Sequence, residues 1–551
     1  MSPTVSEHWP SPLMLPDFLQ RLPEVKCRHV FIAIFVSITY LSLYKLIIWP
    51  LFLSPLRKVP GPPIGNLILG QSHIMIRRET GIPQREWVKK YGSVLRIVGP
   101  VGVERLIFME PNALYQILVK DWFQYPRLEF LRNILGLVTG YGLLTVTGDE
   151  HKQMRKVMNP AFSISNLMSQ SHVYWDSTDR LVDILKDEIG SSNDGQVLPV
   201  YDWMSKISLD IICEIAFGYK ANTLHDPHNE LAVAYQNLLA LQTCSNFSKL
   251  SIIMLIPGGP QFLTSDWAYR NRKIFQYFTI FHDASTLIES MHIIRQWSTK
   301  MLEDKLRESA HASEMDAKRD IISILVHARK AEQGGDTGNY TMNDQAMMDQ
   351  VLTFLGAGHE TTASGLTWTL WLLANDKKSQ CKLREELTPI LMKNPHTDYR
   401  TLKHLKWLDC VVMESLRICP PIPRTSRIAK ETGTIDGIAV PKGTMISIPI
   451  RVLNTWKVIW GEDAEEFHPE RWLNLPKNYN PAFSFFSFVA GPHACIGKTM
   501  AIMEMKTILA GLIVNFEFDL GYEGQKAQPA TAITMKPTDG MPLRIKRVQR
   551  H

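Results

Sequence analysis

One apolar run outweighs every other in the chain: residues 30–53, VFIAIFVSITYLSLYKLIIWPLFL, in which Lys45 and Pro50 are the only charged or helix-breaking positions. A helix of about 20 residues crosses a hydrocarbon core, and a lysine near its end can reach the interface. The run predicts a single membrane anchor after a tail at 1–29. A cleaved signal peptide is the competing reading, but the tail is long for one and no small-residue cleavage pattern follows. Arg21, Lys26 and Arg28 precede the span and Lys45, Arg57 and Lys58 lie in or after it, so basic residues do not choose its orientation. The segment 54–66, containing RKVPGPPIGN, has clustered prolines that predict a stiff extended spacer.

Beyond it, residues 67–551 read as one large domain, mainly α with minor β. Helical periodicity dominates on both sides of the loop EQGGDTGNY at 332–340. Strand-like pieces fall at 94–109, 433–450 and 529–548, with IDG and TDG as turns. No repeat, low-complexity tract or second linker interrupts this body. The stretch 346–374, AMMDQVLTFLGAGHETTASGLTWTLWLLA, predicts a long buried helix that carries Gly356, Gly358 and Glu360-Thr361-Thr362 at its centre. Glycine costs a helix interior about 1 kcal/mol and a buried carboxylate costs more, and such breaches of local rules mark function. The Thr361 hydroxyl can bond back to the carbonyl of Ala357 and loosen one turn into a polar groove. Packing through small residues is the competing reading of the glycines.

Composition narrows the class. The chain has 551 residues, seven cysteines and a formal charge of +6. An odd, scattered set of cysteines in a chain this large reads as reduced thiols. No Lys/Arg cluster interleaves with aromatics, so no nucleic-acid groove is expected. The sequons at Asn246 and Asn339 are weak signals.

Among the cysteines, Cys495 in FVAGPHACIG stands apart. Gly491 and Gly497 let backbone pass close to something bulky, Pro492 stiffens the turn, and the helical pattern IGKTMAIMEMKTILAGLIV follows. A thiol near a helix N-terminus is favoured as thiolate. A lone thiolate without further ligands at metal spacing does not make a zinc site, but it can be the one protein ligand of a haem iron.

The phrase Phe488-x-x-Gly491-x-His493-x-Cys495-x-Gly497 resembles the haem-binding signature of the cytochrome P-450 family, with histidine at 493 where arginine is commoner. The resemblance covers about residues 58–548, and the anchor with its proline segment is similar to the membrane-bound microsomal type, with a fungal secondary-metabolism character. It implies the cytochrome P-450 fold, haem b held by Cys495 as axial thiolate, and oxygen chemistry that favours O–O cleavage. His493 then faces a haem propionate, protonated or as a neutral hydrogen-bonding group.

Further motifs fit the same family. AGHETT resembles its oxygen-activating motif, which implies Thr361 and Glu360 as proton-delivery residues. Glu414 and Arg417 stand at i, i+3 in VVMESLRICPP and, with Arg471 of FHPERW, resemble the family's structural ion-pair network. In GDEHKQMRKVMNPAF, His151 and Arg155 share one helix face and Lys152 and Lys156 the next; a solvated charged face is the plain reading. The resemblance sends His151, Arg155 and Arg427 to the haem propionates. It turns the lysines, with Lys498 and Lys506, toward an NADPH-dependent reductase.

Taken together these imply a monooxygenase that uses O2 and NADPH-derived electrons on a hydrophobic small molecule, its body cytosolic on the endoplasmic reticulum membrane. A reductase-independent isomerase or dehydratase and a non-catalytic haem-thiolate sensor are the alternatives. Pocket residues are expected at 124–140, 240–265, 346–358, 421–426 and 531–536, with Arg424 as a polar handle. The apolar segment 250–263 is expected either in the core or dipping into the bilayer.

Overall fold

The computed structural model describes residues 27–190, 192, 194–243, 246, 250, 253, 256, 258–277, 282–311, 320–326, 342–530 and 533–549. The 332–340 loop, Asn339 and much of 250–263 lie outside these residues.

Helix α1 (Cys27–Leu43) runs on without a break into a π-helical stretch, Tyr44–Leu53, so that Arg28–Leu53 form one apolar rod with none of its most apolar window buried against protein. The spacer is partly folded: Pro55–Lys58 close into a 3-10 turn whose Leu56 amide donates to Ser54 Oγ at 3.0 Å. Among the described residues the strands and longer helices then follow as β1 (Val94–Val98), β2 (Glu104–Phe108), α2 (Glu129–Thr139), α3 (Gly148–Met158), α4 (Ser171–Ile189), β3 (Gln196–Pro199), α5 (Val200–Phe217), α6 (Glu230–Ala240) and α7 (His282–His311). The second half adds α8 (Asp344–Asn375), α9 (Lys377–Lys393), α10 (Lys406–Ile418), β4 (Thr425–Ile428), β5 (Gly433–Ile435), β6 (Ile438–Val440), β7 (Met445–Ile448), α11 (Lys498–Asn515), β8 (Phe516–Leu520) and β9 (Pro542–Arg547).

A four-stranded sheet in the order β1-β2-β7-β4 is antiparallel except at the parallel β2–β7 pair. The antiparallel sheet β3-β9-β8 and the hairpin β5-β6 complete the β content. The main apolar core surrounds α8, which packs along α5 and also meets α2, α7, α10 and α11. A helix that is apolar on every side belongs at the centre of a large domain. Its N-terminus is capped by Asn343, whose side chain accepts the Ala346 amide at 2.7 Å.

Helix α11, the continuation of the cysteine loop, buries a carboxyl group. Glu504 is 1% exposed, with Oε1 unpartnered, near Ser208 of α5 and Tyr174 of α4. Burial pushes its pKa from 4.5 up to about 8, with only Ser208 pulling it down. Folded Glu504 therefore keeps a proton that the unfolded chain has lost between those values, so its contribution to stability falls as pH rises through that window. Glu504→Gln is expected to remove this slope, worth up to about 1.4 kcal/mol per pH unit. Thermal midpoints at about pH 5 and about pH 8 check it: the variant should gain on wild type at the higher pH.

Candidate active site

Cys495 sits on a strained loop. Val489 and Gly491 adopt positive φ (58° and 76°), the Ala494 amide donates to Gly491 O at 2.9 Å, and the Cys495 amide donates to Phe488 O at 2.9 Å. Gly491 is required by chain packing, because a Cβ there would lie 2.1 Å from the Leu118 carbonyl oxygen. Gly497 instead faces open space, with no atom within 4 Å of an added Cβ, and it caps the N-terminus of α11. The residue is solvent-accessible. Burial raises its pKa, while the Gly497 amide, Arg155 and Lys498 pull it back toward thiolate.

Beside this loop lies a set of cationic and imidazole groups. The rings of His151 (α3) and His493 lie against each other with centroids 3.9 Å apart and planes tilted by 40°, and Trp122 meets them edge-on at 6.0 and 5.2 Å. Both histidines leave a buried Nδ1 unpartnered. Burial first, then neighbouring cations, depress His151 to about 4 and His493 to about 2. Arg427 on β4 is buried and lowered to about 9, and Arg127 to about 10, each by burial and then by another arginine. Every charged group acting on His493 is a cation or a second histidine: Arg127, His151, Arg427 and Arg155.

Such a cluster, with two orphaned ring nitrogens and no carboxylate among the groups acting on His493, fits a bound dianion, which would raise all of these pKa values. The propionates of a haem ligated by Cys495 meet that description. Arg155, one of the cations acting on His493, also donates its guanidinium to the Ala494 carbonyl and faces Cys495. Trp122 and Arg127 were not singled out in the sequence; no local spacing marks them. Phe488 lies at the loop's other edge, packed on Phe485, with the Lys498 ammonium 5.6 Å from its ring.

The centre of α8 supplies acid and alcohol. Thr361 Oγ1 donates to Ala357 O at 2.8 Å and Thr362 Oγ1 to Gly358 O at 3.2 Å; Thr361 is half-buried and Thr362 buried. The glycines serve packing: a Cβ on Gly356 would come within 2.8 Å of Thr139 on α2, and one on Gly358 within 2.7 Å of Ile212 on α5. Glu360 accepts from Thr534 Oγ1 and, at 3.4 Å, from Gln242 Nε2. Burial raises its pKa, against Thr534, Lys536 and Gln242, which favour the anion. Gln242 and Thr534 fall within the stretches 240–265 and 531–536 expected to line the pocket, but their bonds to Glu360, 118 and 174 residues away, were not foreseen.

Glu414 and Arg417 on α10 are both fully buried. Arg417 uses all five N–H groups: two on Glu414 at 2.7 Å and three on the carbonyls of Asn454, Ala464 and Glu466. Glu414 in turn also accepts from the His468 amide, Arg471 Nε and Trp472 Nε1. Arg471 completes its set on the Trp460 carbonyl and Asp463. Lys506 does not extend a basic surface. It is buried, 2.8 Å from Asp409 of α10, leaving Lys152, Lys156 and Lys498 exposed. Arg424, half-buried, lies near enough to Arg105 to add to the burial that lowers that guanidinium to about 10.

The family model described as "Cytochrome P450" matches residues 59–543. The chain belongs to the cytochrome P450 family. Similar curated proteins include cytochrome P450 monooxygenase 205 of Postia placenta, 32% identical with 93% of this chain and 96% of that protein aligned. Cytochrome P450 monooxygenase sphH of Aspergillus fumigatus is 31% identical over 91% and 90% of the two chains. Cytochrome P450 monooxygenase FUM15 of Gibberella moniliformis is 28% identical over 88% and 86%. As a P450 this chain is a haem-thiolate monooxygenase, mostly helical with minor strands, and its N-terminal apolar helix is a candidate membrane span.

Proposed function

We propose that this P450 inserts one oxygen atom from O2 into a hydrophobic small molecule, such as a terpenoid, steroid or aromatic secondary metabolite or a xenobiotic. Electrons come singly from an NADPH-dependent reductase docked on the face that carries Lys152, Lys156 and Lys498. The body is cytosolic on the endoplasmic reticulum membrane. Cys495 holds the haem b iron, and Arg127, Arg427, His151 and His493 hold its propionates. The haem, when bound, supplies dioxygen activation, with thiolate donation favouring O–O cleavage.

One observation carries this reading over a haem-thiolate sensor or a reductase-free isomerase: the acid and the alcohol sit intact in the middle of α8. Burial raises the pKa of the Glu360 carboxyl, while Thr534 and Gln242 hold its two oxygens. Thr361, whose hydroxyl donates to the Ala357 backbone carbonyl, can rotate to pass a proton toward the pocket.

Carbon monoxide difference spectra and NADPH-supported turnover in membranes with a fungal reductase test the reading. Thr361→Ala is expected to keep the thiolate band but to release peroxide at the expense of product. Glu360→Gln should slow product formation by about 10²-fold. Tight coupling surviving in Thr361→Ala would remove the proton role.

A further inference from the structure

Arg105, the second residue of β2, is a cation without an acceptor. Its Nε is buried and unpartnered, and among the described residues neither of its other nitrogens makes a hydrogen bond or ion pair. Arg85, Arg180 and Arg451 also leave a buried Nε without a hydrogen bond, but each has a carboxylate within 3.9 Å, from Glu465, Glu214 and Glu79. The charge that reaches Arg105 is instead a second cation, Arg424. Glu104, its neighbour in sequence, lies on the other face of the strand, where Arg96, Trp49 and Ser54 hold it. A guanidinium buried without a partner is costly, and a like charge beside it adds to the cost. The same condition, burial first and then another arginine, recurs at Arg127 and Arg427, where the haem propionates fit.

The sheet keeps the two sets of arginines apart. Register pairs Arg105 with Met445 and Met445 with Ile428, so these side chains share one face, while Arg427 pairs with Ile446 on the other. Ser426 falls on the Arg105 face, and Arg424, two residues before it, continues that face past the start of β4. Arg105, Arg424, Ser426, Ile428 and Met445 are all half-buried. Gly99 leaves room beside the guanidinium, since a Cβ there would stand 3.1 Å from its Nε and Nη2. The segment that carries Arg424 borders the centre of α8. Pro421 O accepts the Met535 amide at 2.8 Å, Met535 O accepts Ser364 Oγ at 2.8 Å, and Thr534 binds Glu360. A guanidinium takes a carboxylate through two parallel N–H bonds, and Ile428 and Met445 on the same face suit a hydrocarbon body attached to it.

We infer that the substrate is an apolar carboxylic acid, and that Arg105, with Arg424 beside it, binds its carboxylate. The inference rests on the monooxygenase reading and names the substrate class for it. The propionate cluster, on the opposite face of the sheet, takes no part in it.

The test titrates the full chain, in nanodiscs of zwitterionic lipid, with hexadecanoic acid and with a polycyclic terpenoid acid, each beside its methyl ester, by calorimetry. At least one acid is expected to bind about 10–100-fold tighter than its ester and to raise the thermal midpoint. Arg105→Gln should bring acid and ester to parity while leaving the ester's affinity and the carbon monoxide band as in wild type, and Arg105→Lys should restore part of the preference. Comparing acid-to-ester ratios between proteins in the same discs cancels partitioning into lipid. Because no partner is lost, Arg105→Gln without acid should unfold no earlier than wild type. Equal binding of acid and ester by wild type, binding of neither acid, or a preference that survives in Arg105→Gln would overturn the inference. A missing carbon monoxide band with the acid preference intact would count against the haem reading alone.

Discussion

Cys495→Ser is expected to abolish both the red-shifted carbon monoxide band and product formation while leaving a folded protein. The Cys495 side chain is accessible, and the Gly497 amide that meets its sulfur can be met by a serine hydroxyl as well, so circular dichroism and the thermal midpoint should stay near wild type. The ligand, however, must be a thiolate, and a serine hydroxyl does not ionise at neutral pH. No other described cysteine is placed to substitute. Burial raises Cys213 well above its usual pKa and pushes Cys410 and Cys419 up to about 11, while Cys381 is exposed on α9. Cys495 alone has an amide, Arg155 and Lys498 together favouring its anion, and metal coordination completes deprotonation. A thiolate band surviving in Cys495→Ser would move the haem elsewhere in the chain.

The second large effect is on stability. Arg417→Met is expected to cost about 3–5 kcal/mol, because it leaves the Glu414 carboxylate buried with its strongest partner removed and strands three carbonyls. Little folded, haem-retaining protein should accumulate. Adding Glu414→Gln is not expected to rescue it, since Arg471, Trp472 and the His468 amide then lose their charged acceptor. Denaturant unfolding of solubilised protein measures both; a single variant within about 1 kcal/mol of wild type would show the network to be dispensable.

These two sites were also the most legible in the sequence, for a physical reason. A cysteine before a helix, and an acid and base at i, i+3, are constraints carried within one turn or one element. Arg471 required a second motif, and its neighbour Trp472, which also binds Glu414, was missed because nothing in its own surroundings is periodic with α10. Gln242 and Thr534 reach Glu360 from distant segments, and Arg127 reaches the cation cluster from a loop; such convergence is set by tertiary packing alone. Lys506 shows the opposite error. A lysine on a helix reads as solvent-facing, but α11 is buried on nearly all sides and Asp409 offers the ammonium a partner inside. The proline segment was read as an extended spacer, whereas Ser54, Arg96 and Glu104 tie its start to the sheet through contacts 46 to 50 residues apart.

The central claim is that this P450 transfers one atom of dioxygen to an organic substrate. Membranes bearing the chain and a fungal reductase would be given NADPH, heavy-oxygen-labelled dioxygen and a panel of hydrophobic compounds, and products read by mass spectrometry. The account predicts a product carrying one labelled oxygen atom, absent without NADPH and absent in Cys495→Ser. A product that forms without NADPH or dioxygen, or that carries no label, would contradict it and favour an isomerase or dehydratase on the same fold.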